Sequence, residues 1–461
     1  MMAKVIARYV CQNCGANASK WLGRCPTCGQ WNTYVEERVA KTSTQRSLVQ
    51  VSRNAVPIPL AEVASSNEVR IDSGLEEVNR LLGGGIVPGS ILLLGGEPGI
   101  GKSTLALQMA LSPTMGRVLY VSGEESANQV KIRANRLAAT GQNCLVLNET
   151  LLENIVAQSE EVEPSLLVID SIQTIYSEGV ESSPGSVAQV RECAAALLRY
   201  AKTSGVPVLL IGHINKEGTL AGPKILEHIV DAVLQFEGDS THMYRMLRSI
   251  KNRFGSTAEL AMFEMQEKGL RQVTNPSELL LSHRDEALSG VAVACALDGA
   301  RPLLVEVQAL VSSAAYGTPQ RSTTGYDVRR LNMLLAVLEK RAGFKLASKD
   351  VFLNIAGGLR IADPGMDLAV VAAVLSSNFD VAIPADACFA AEVGLSGEIR
   401  PVARIEQRAN ECMRMGFRTL YASSQARVHE QAEGTTSLHG LSKIEQLVRS
   451  LIREAAPCAP R

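Results

Sequence analysis

This sequence predicts an α/β fold for its middle, with helices covering both faces of a parallel sheet. A small metal-binding head precedes that sheet, and a further α/β unit follows it. Three observations point there. Short apolar strands at residues 91–94, 118–122, 166–170 and 206–211 alternate with helical stretches, the pattern of a parallel sheet with crossover helices. Aromatic residues are only 4% of the chain against 37 glycines, which disfavours an aromatic-rich β-sandwich. The 461 residues exceed one core of roughly 100–200, so two or three domains are expected.

Composition narrows the class further. Hydrophobic residues at 46% and charged residues at 20% describe a globular chain. A net charge of −1 excludes coating nucleic acid by bulk charge, but leaves room for local basic loops. The longest clear apolar run, Leu368 to Leu375, has eight residues, far short of a membrane span. The opening MMAKVIARYVCQNCG lacks the apolar stretch of a signal peptide. A cytoplasmic protein with no membrane partner is the expectation.

The head comes first. Four of the ten cysteines, Cys11, Cys14, Cys25 and Cys28, read C-x2-C-x10-C-x2-C. Two such knuckles set four thiolates at tetrahedral corners, as zinc requires at ~2.3 Å per bond. Gly15 and Gly29 follow the second cysteine of each pair, where the knuckle turns through positive φ. Two redox pairs or local disulfides are the weaker alternative. Trp21, Trp31 and Tyr34 interleave with Lys20 and Arg24. They form a miniature core or a nucleic-acid surface, and the core is the expectation for so small a module. Residues 1–45 form this head, and 46–65, rich in Ser, Thr, Gln, Val and Pro, a linker.

From residue 66 to 275 the pattern is that of a nucleotide-binding domain. Gly96-Glu97-Pro98-Gly99-Ile100-Gly101-Lys102-Ser103 matches GxxxxGK[ST] between a strand and a helix. With Thr104, these residues are the expected ATP-binding set. Backbone N–H groups of such a loop close around phosphate, and the helix N-terminus adds its dipole. Lys102 then reaches the β- and γ-phosphates, and Ser103 ligates Mg²⁺. The strand Leu166–Asp170 ends in a carboxylate, so Asp170 is expected in the Mg²⁺ shell. The strand ending at Ser122 is followed by Glu124 and Glu125. Either one of these polarises the attacking water, or both cap the next helix. His213, at the end of the fourth strand, is either a γ-phosphate sensor or structural.

A four-cysteine head, the lead-in LLGGGIVPGS, the loop GEPGIGKST and Lys251-Asn252-Arg253-Phe254-Gly255 occur here in that order. In this the chain resembles the bacterial RadA (Sms) family over essentially its whole length. The resemblance implies a C4 zinc ribbon, a RecA-like parallel-sheet P-loop ATPase and a C-terminal Lon-protease-like α/β domain over residues 276–455. It implies ATP, Mg²⁺ and Zn²⁺ as cofactors and a motor on single-stranded DNA that drives branch migration. Its expected partners are branched DNA intermediates, the RecA recombinase and further copies of itself in a hexameric ring. It makes Glu124 the water-activating acid, His213 the switch, and Lys251 and Arg253 cations that reach a neighbouring subunit's γ-phosphate. Two loops are expected to face DNA: Glu178–Arg191, and Asn215–Lys224. Arg191, Lys216 and Lys224 would be their contacts.

The tail lacks what a Lon-type protease needs. Met366 or Asp367 stands where the nucleophilic serine belongs, and Glu406 where the lysine belongs. Neither can serve as an activated hydroxyl and its base. A scaffold is expected there, with Arg321, Arg329, Arg330 and Lys345 as candidate DNA contacts. Two rivals remain: a KaiC-like regulatory ATPase and, more weakly, an ATP-dependent protease.

Overall fold

The computed structural model describes residues 5–11, 16–27, 29–40, 59, 69–137, 141–213, 225–237, 244–281, 288–314, 319–427 and 436–454. The chain divides into two units, Met1–Thr257 with Ala261–Gln272, and Ala258–Leu260 with Val273–Arg461.

The first unit opens with a three-stranded sheet: β1 (Val5–Cys11), β2 (Asn17–Ala18) and β3 (Tyr34–Ala40), in the order β2-β1-β3. The pairing of β1 with β3 is antiparallel and sets Cys11 opposite Tyr34.

The larger sheet follows, with its helices in sequence. These are α1 (Glu76–Leu81), β4 (Ile91–Gly96), α2 (Lys102–Ala110), β5 (Val118–Ser122), α3 (Ala127–Arg136), β6 (Cys144–Leu147), α4 (Leu152–Val162) and β7 (Leu166–Asp170). Then come α5 (Val187–Ser204), β8 (Val208–His213), α6 (Ile225–Ile229), β9 (Ala232–Glu237), β10 (Tyr244–Asn252), β11 (Leu260–Gln266) and β12 (Gly269–Gln272). Nine strands run in the order β12-β11-β10-β9-β4-β8-β7-β5-β6. Strands β9 to β6 in that order are parallel, while β10 joins β9 antiparallel.

Every residue of β4, β5 and β7 is buried, because helices cover both faces. Alternation decides which face each side chain fills. Leu92 and Leu94 join Leu81, Leu105 and Val130 from α1–α3, whereas Ile91 and Leu93 join Ile155, Val190 and Leu226 from α4–α6. The expected strands are all present. The fourth starts at Val208 rather than Val206 and runs to His213, which puts the imidazole on the strand's last residue. The antiparallel extension, β10 to β12, was not foreseen.

The second unit is a mixed sheet. Its elements are α7 (Pro276–Leu280), β13 (Val291–Asp298), β14 (Arg301–Ser313), β15 (Arg321–Thr324), α8 (Val328–Ala342), β16 (Lys349–Ile355), α9 (Asp367–Phe379) and β17 (Ala387–Ala390). The short β18 (Glu392–Val393) and β19 (Ile399–Arg400), then α10 (Ile405–Arg414), β20 (Thr419–Ser423), β21 (Ser437–Leu441) and α11 (Ile444–Glu454) complete it. Seven strands order as β15-β16-β14-β13-β17-β20-β21. Helix α9 is buried from Asp367 to Ser376, which accounts for its unbroken apolar run. Among the described residues no helix is long and apolar enough to cross a membrane.

Candidate nucleotide site

The carboxyl ends of β4, β5, β7 and β8 converge on one edge of the larger sheet, where parallel α/β sheets bind ligands. The loop after β4 turns at Gly96, Gly99 and Gly101, all with positive φ. A Cβ at Gly96 would stand 2.9 Å from Ile100 Cγ2 and 3.0 Å from Phe236 Cβ, so only glycine closes this turn. Helix α2 then starts at Lys102 with no side-chain cap. Its first N–H groups are the donors that a phosphate accepts from. Ser103 and Thr104 lie half-buried in that first turn. The Lys102 ammonium is buried and donates to the carbonyls of Gly96 (2.8 Å) and Glu97 (2.9 Å). Burial lowers its pKa, and the negative charges of Asp170 and Glu124 oppose the shift. The loop therefore suits ATP: uncapped N–H groups at the start of a helix, beside one buried cation. Pro98 and Gly99 lie exposed at its tip.

Two carboxylates face this loop from neighbouring strands. Asp170 ends β7, is 8% exposed, and accepts the Tyr120 hydroxyl at 2.6 Å. Burial and then the Asp170 charge raise the Tyr120 pKa far above its usual value, so the phenol stays a donor. Glu124, just past β5, accepts from the Ser171 hydroxyl at 2.6 Å and meets His213 Nε2 at 3.3 Å. Its side chain remains 45% exposed. Glu125 turns the other way, into an ion pair with Arg133 at 2.5 Å. Neither acid caps α3, since Ser126 and Gln129 do so in a capping box. That removes the capping alternative and separates the two glutamates. Glu124, Ser171 and His213 form one cluster in which the carboxylate stays open to solvent. Sequence reading missed Tyr120 and Ser171, because each is some fifty residues from its carboxylate.

Lys251 and Arg253 lie elsewhere on the sheet. Lys251 pairs with Val233, and Val233 with Leu93, three residues before Gly96. At ~3.3 Å per residue this sets Lys251 about 10 Å behind the start of the glycine loop along the strands. Its ammonium donates to the carbonyls of Glu227 (2.6 Å) and Val230 (2.7 Å). Burial and then the Arg253 charge lower its pKa. Arg253 stays 58% exposed and meets the buried Asp231 at 3.3 Å. The KNRFG turn is fastened to the glycine-rich lead-in. Arg70 donates to the carbonyls of Leu82 (2.8 Å) and Phe254 (3.0 Å), and Asn252 to that of Leu81 (3.0 Å).

Of the expected DNA contacts, Lys216 and Lys224 lie outside the described residues. Arg191 is displaced from its expected loop: Ser186 caps the backbone of Gln189, helix α5 begins at Val187, and Arg191 is an exposed helical residue. Gln189, missed in the sequence, is buried and organises what precedes it. Its carboxamide accepts from Ser177 N and donates to the carbonyls of Ser177, Val180 and Ser182.

In the head, Cys11 and Cys25 are both buried and share a small interior with Tyr34. Cys11 N–H donates to Ala16 and Gly29 N–H to Cys25, closing the two knuckle turns. Gly29 has φ +74°, as the knuckle requires. Thiols are the donors a tetrahedral zinc takes, and Cys11 and Cys25 supply two; Cys14 and Cys28 lie outside the described residues. The aromatic core holds only in part. Tyr34 is 4% exposed, but Trp21 is 52% and Trp31 67% exposed, and among the described residues Tyr9, Ala16, Ala18 and Leu22 pack against Cys11, Cys25 and Tyr34 instead.

In the second unit, Met366 and Asp367 are buried. Asp367 forms an ion pair with Arg330 and accepts from Tyr326 OH (2.7 Å) and Val393 N (3.1 Å). Asp363 accepts from the fully buried Arg408 at 2.7 Å and from Leu297 N at 2.7 Å. Arg330 is thus neutralised, which corrects its reading as a DNA contact. Arg321 donates to Asn332 at 3.0 Å, while Arg329 and Lys345 are exposed. Glu406, at the lysine position, lies exposed in the first turn of α10.

The strand order, the glycine loop and the acid cluster at the strand ends define a RecA-like P-loop ATPase preceded by a metal ribbon. Comparison with known families agrees: an AAA domain matches residues 59–219, and a rubredoxin metal binding domain matches residues 9–36. The DNA repair protein RadA of Bacillus subtilis (strain 168) is 48% identical over 425 residues, 91% of this chain and 93% of its own length. That of Listeria monocytogenes is 47% identical, covering 91% and 92%. The chain belongs to the RadA family. Among solved structures, the KaiC-like protein PH0186 of Pyrococcus horikoshii OT3 covers 44% of this chain and 98% of its own, at TM-score 0.37 and 21% identity.

Proposed function

We propose that this protein is an ATP-driven motor on single-stranded DNA. It would remodel branched intermediates in recombinational repair, together with the RecA recombinase and as a hexameric ring. The observation that carries this is the Glu124 carboxylate, held between Ser171 and His213. It joins an acid able to polarise water to the residue that leads into an expected DNA loop. Glu124 would orient the attacking water, while Lys102 and the backbone of residues 96–104 hold the triphosphate. When bound, Mg²⁺ supplies charge neutralisation between the phosphates, and Ser103 and Asp170 are the residues that would hold it.

Lys251 and Arg253 lie behind their own loop in the sheet register, which supports delivery to a neighbour's nucleotide. There they would neutralise charge that develops only in the transition state. A neighbour's phosphate would compete with the Glu227 and Val230 carbonyls for the Lys251 ammonium. Lys216 and Lys224, with Arg191 at the base of the other loop, are the proposed DNA contacts. Zinc on Cys11, Cys14, Cys25 and Cys28 is the proposed ribbon metal. For the second unit we propose an inactive Lon-like scaffold, since its aspartates are engaged by arginines.

The test is ATP turnover with and without single-stranded DNA at two salt concentrations. Stimulation that weakens as salt rises is expected, because phosphate contacts release counterions. An identical rate in all four conditions refutes the motor and leaves a regulatory ATPase.

A further inference from the structure

Trp21 and Trp31 are the only tryptophans in the chain, and both stand on the outside of the ribbon. We propose that they form a binding surface for single-stranded DNA, on which unpaired bases stack. This shares its ligand with the motor reading but none of its residues.

The two indoles make one patch. A Cβ at Gly23 would lie 3.7 Å from the Trp21 ring and 3.8 Å from the Trp31 ring, so both rings line the same backbone step. Each is held in place. Trp21 Nε1–H donates to the Tyr34 carbonyl at 3.0 Å. Trp31 faces Arg24 across an isolated antiparallel bridge, and the Arg24 guanidinium lies 5.8 Å from the Trp31 ring centroid. Arg24 is itself fixed by its Nε–H bond to the Gly29 carbonyl at 3.0 Å. Among the described residues the ribbon interior is Cys11, Cys25 and Tyr34 with Tyr9, Ala16, Ala18 and Leu22 packed against it, and neither indole belongs to it. Exposed rings of this size on so small a module mark an interaction site.

Charge selects the ligand. Lys20 and Arg24 are exposed beside the rings. Aromatic faces interleaved with cations suit a strand that offers a base and a phosphate at every step. Duplex DNA offers phosphates, but its bases are already stacked on one another. A protein partner would also use tryptophan and arginine, and is the alternative that the experiment separates.

With only two tryptophans, indole emission of the full-length protein reports on this surface directly. Titration with oligo-dT should quench it, and a matched duplex should not. Anisotropy of a labelled oligo-dT gives the affinity. Trp31→Ala should weaken it roughly five- to a hundred-fold, the range for losing one base–aromatic stack. Trp31→Tyr should restore most of it. Zinc content and DNA-free ATP turnover should be unchanged in both variants, which excludes a folding defect. Oligo-dT binding with no quenching and with unchanged affinity in Trp31→Ala overturns the proposal and leaves the motor standing. Quenching in a protein whose turnover ignores DNA would refute the motor and keep the surface. A full-length protein that binds no oligo-dT at all ends both.

Discussion

The carboxylates at the strand ends of the ATPase unit are held differently from Asp363 and Asp367 of the second unit. In the ATPase unit, Asp170 is held by a phenol and Glu124 by a hydroxyl and an imidazole. Among the described residues neither meets an arginine. In the second unit Asp367 is 1% exposed and bound by Arg330, and Asp363 is bound by an Arg408 that is itself 1% exposed. A hydroxyl partner leaves a carboxylate its full charge and spare lone pairs. A guanidinium takes both. Asp170 and Glu124 are therefore available for chemistry, whereas Asp363 and Asp367, like Asp231 between Lys202 and Arg253 in the ATPase unit, are committed to structure.

The largest loss of turnover is expected at the cations of the KNRFG turn. Lys251→Ala should bind ATP almost normally yet turn it over roughly 10³-fold more slowly, since a charge delivered in trans acts on the transition state alone. Mixing it with Lys102→Ala protein should recover part of the rate, because an intact loop on one subunit can then meet an intact cation on the next. Full activity of the single variant would refute the role.

Glu124→Gln tests the open carboxylate. Turnover should fall by about 10²–10⁴, the usual worth of a positioned acid or base, while denaturant stability barely moves. A variant that hydrolyses ATP normally would make Glu124 a surface residue.

Asp367→Ala is the mirror experiment. Removing one partner of a buried ion pair should cost about 3–5 kcal/mol, read from urea unfolding of the second unit. ATP turnover per folded molecule should hold. A loss below ~1 kcal/mol would mean that Arg330 finds solvent easily, and the contrast between the units would fail.

The smallest effect concerns thiols outside the ribbon. Burial raises Cys144 to about 11, and burial aided by Glu153 and Glu192 raises Cys193 to about 12. Raised pKa values keep both as thiols at neutral pH, so alkylating reagents should modify them slowly until the protein unfolds. Rapid native labelling of Cys193 would show that the α5 face opens.

What the sequence disclosed follows the range of the interactions. The glycine loop and the unbroken apolar strands are local, so the turn at Gly96 to Gly101 and β4, β5, β7 and β8 were readable, whereas the caps Ser126 and Ser186 were not read. The partners of the acids were not, because Tyr120 and Ser171 reach them only through the sheet register. Nothing local distinguishes Arg330, which the fold pairs with the buried Asp367, from Arg329, which it leaves exposed. The extension β10 to β12 escaped notice because half-buried antiparallel strands carry a weaker pattern than buried parallel ones. Trp21 and Trp31 misled in the opposite sense. Their apolar character suggests a core, and only the folded ribbon shows that both rings stand outside it.

Gln189 has a consequence for timing. One carboxamide serves four backbone groups between Ser177 and Ser182, and all four depend on the same side-chain torsions. A single rotamer change releases every bond together. The segment after β7 should therefore lose this side chain's support in one step, and the Ser177 amide N–H, the one donor among the four groups, should exchange with solvent when it does.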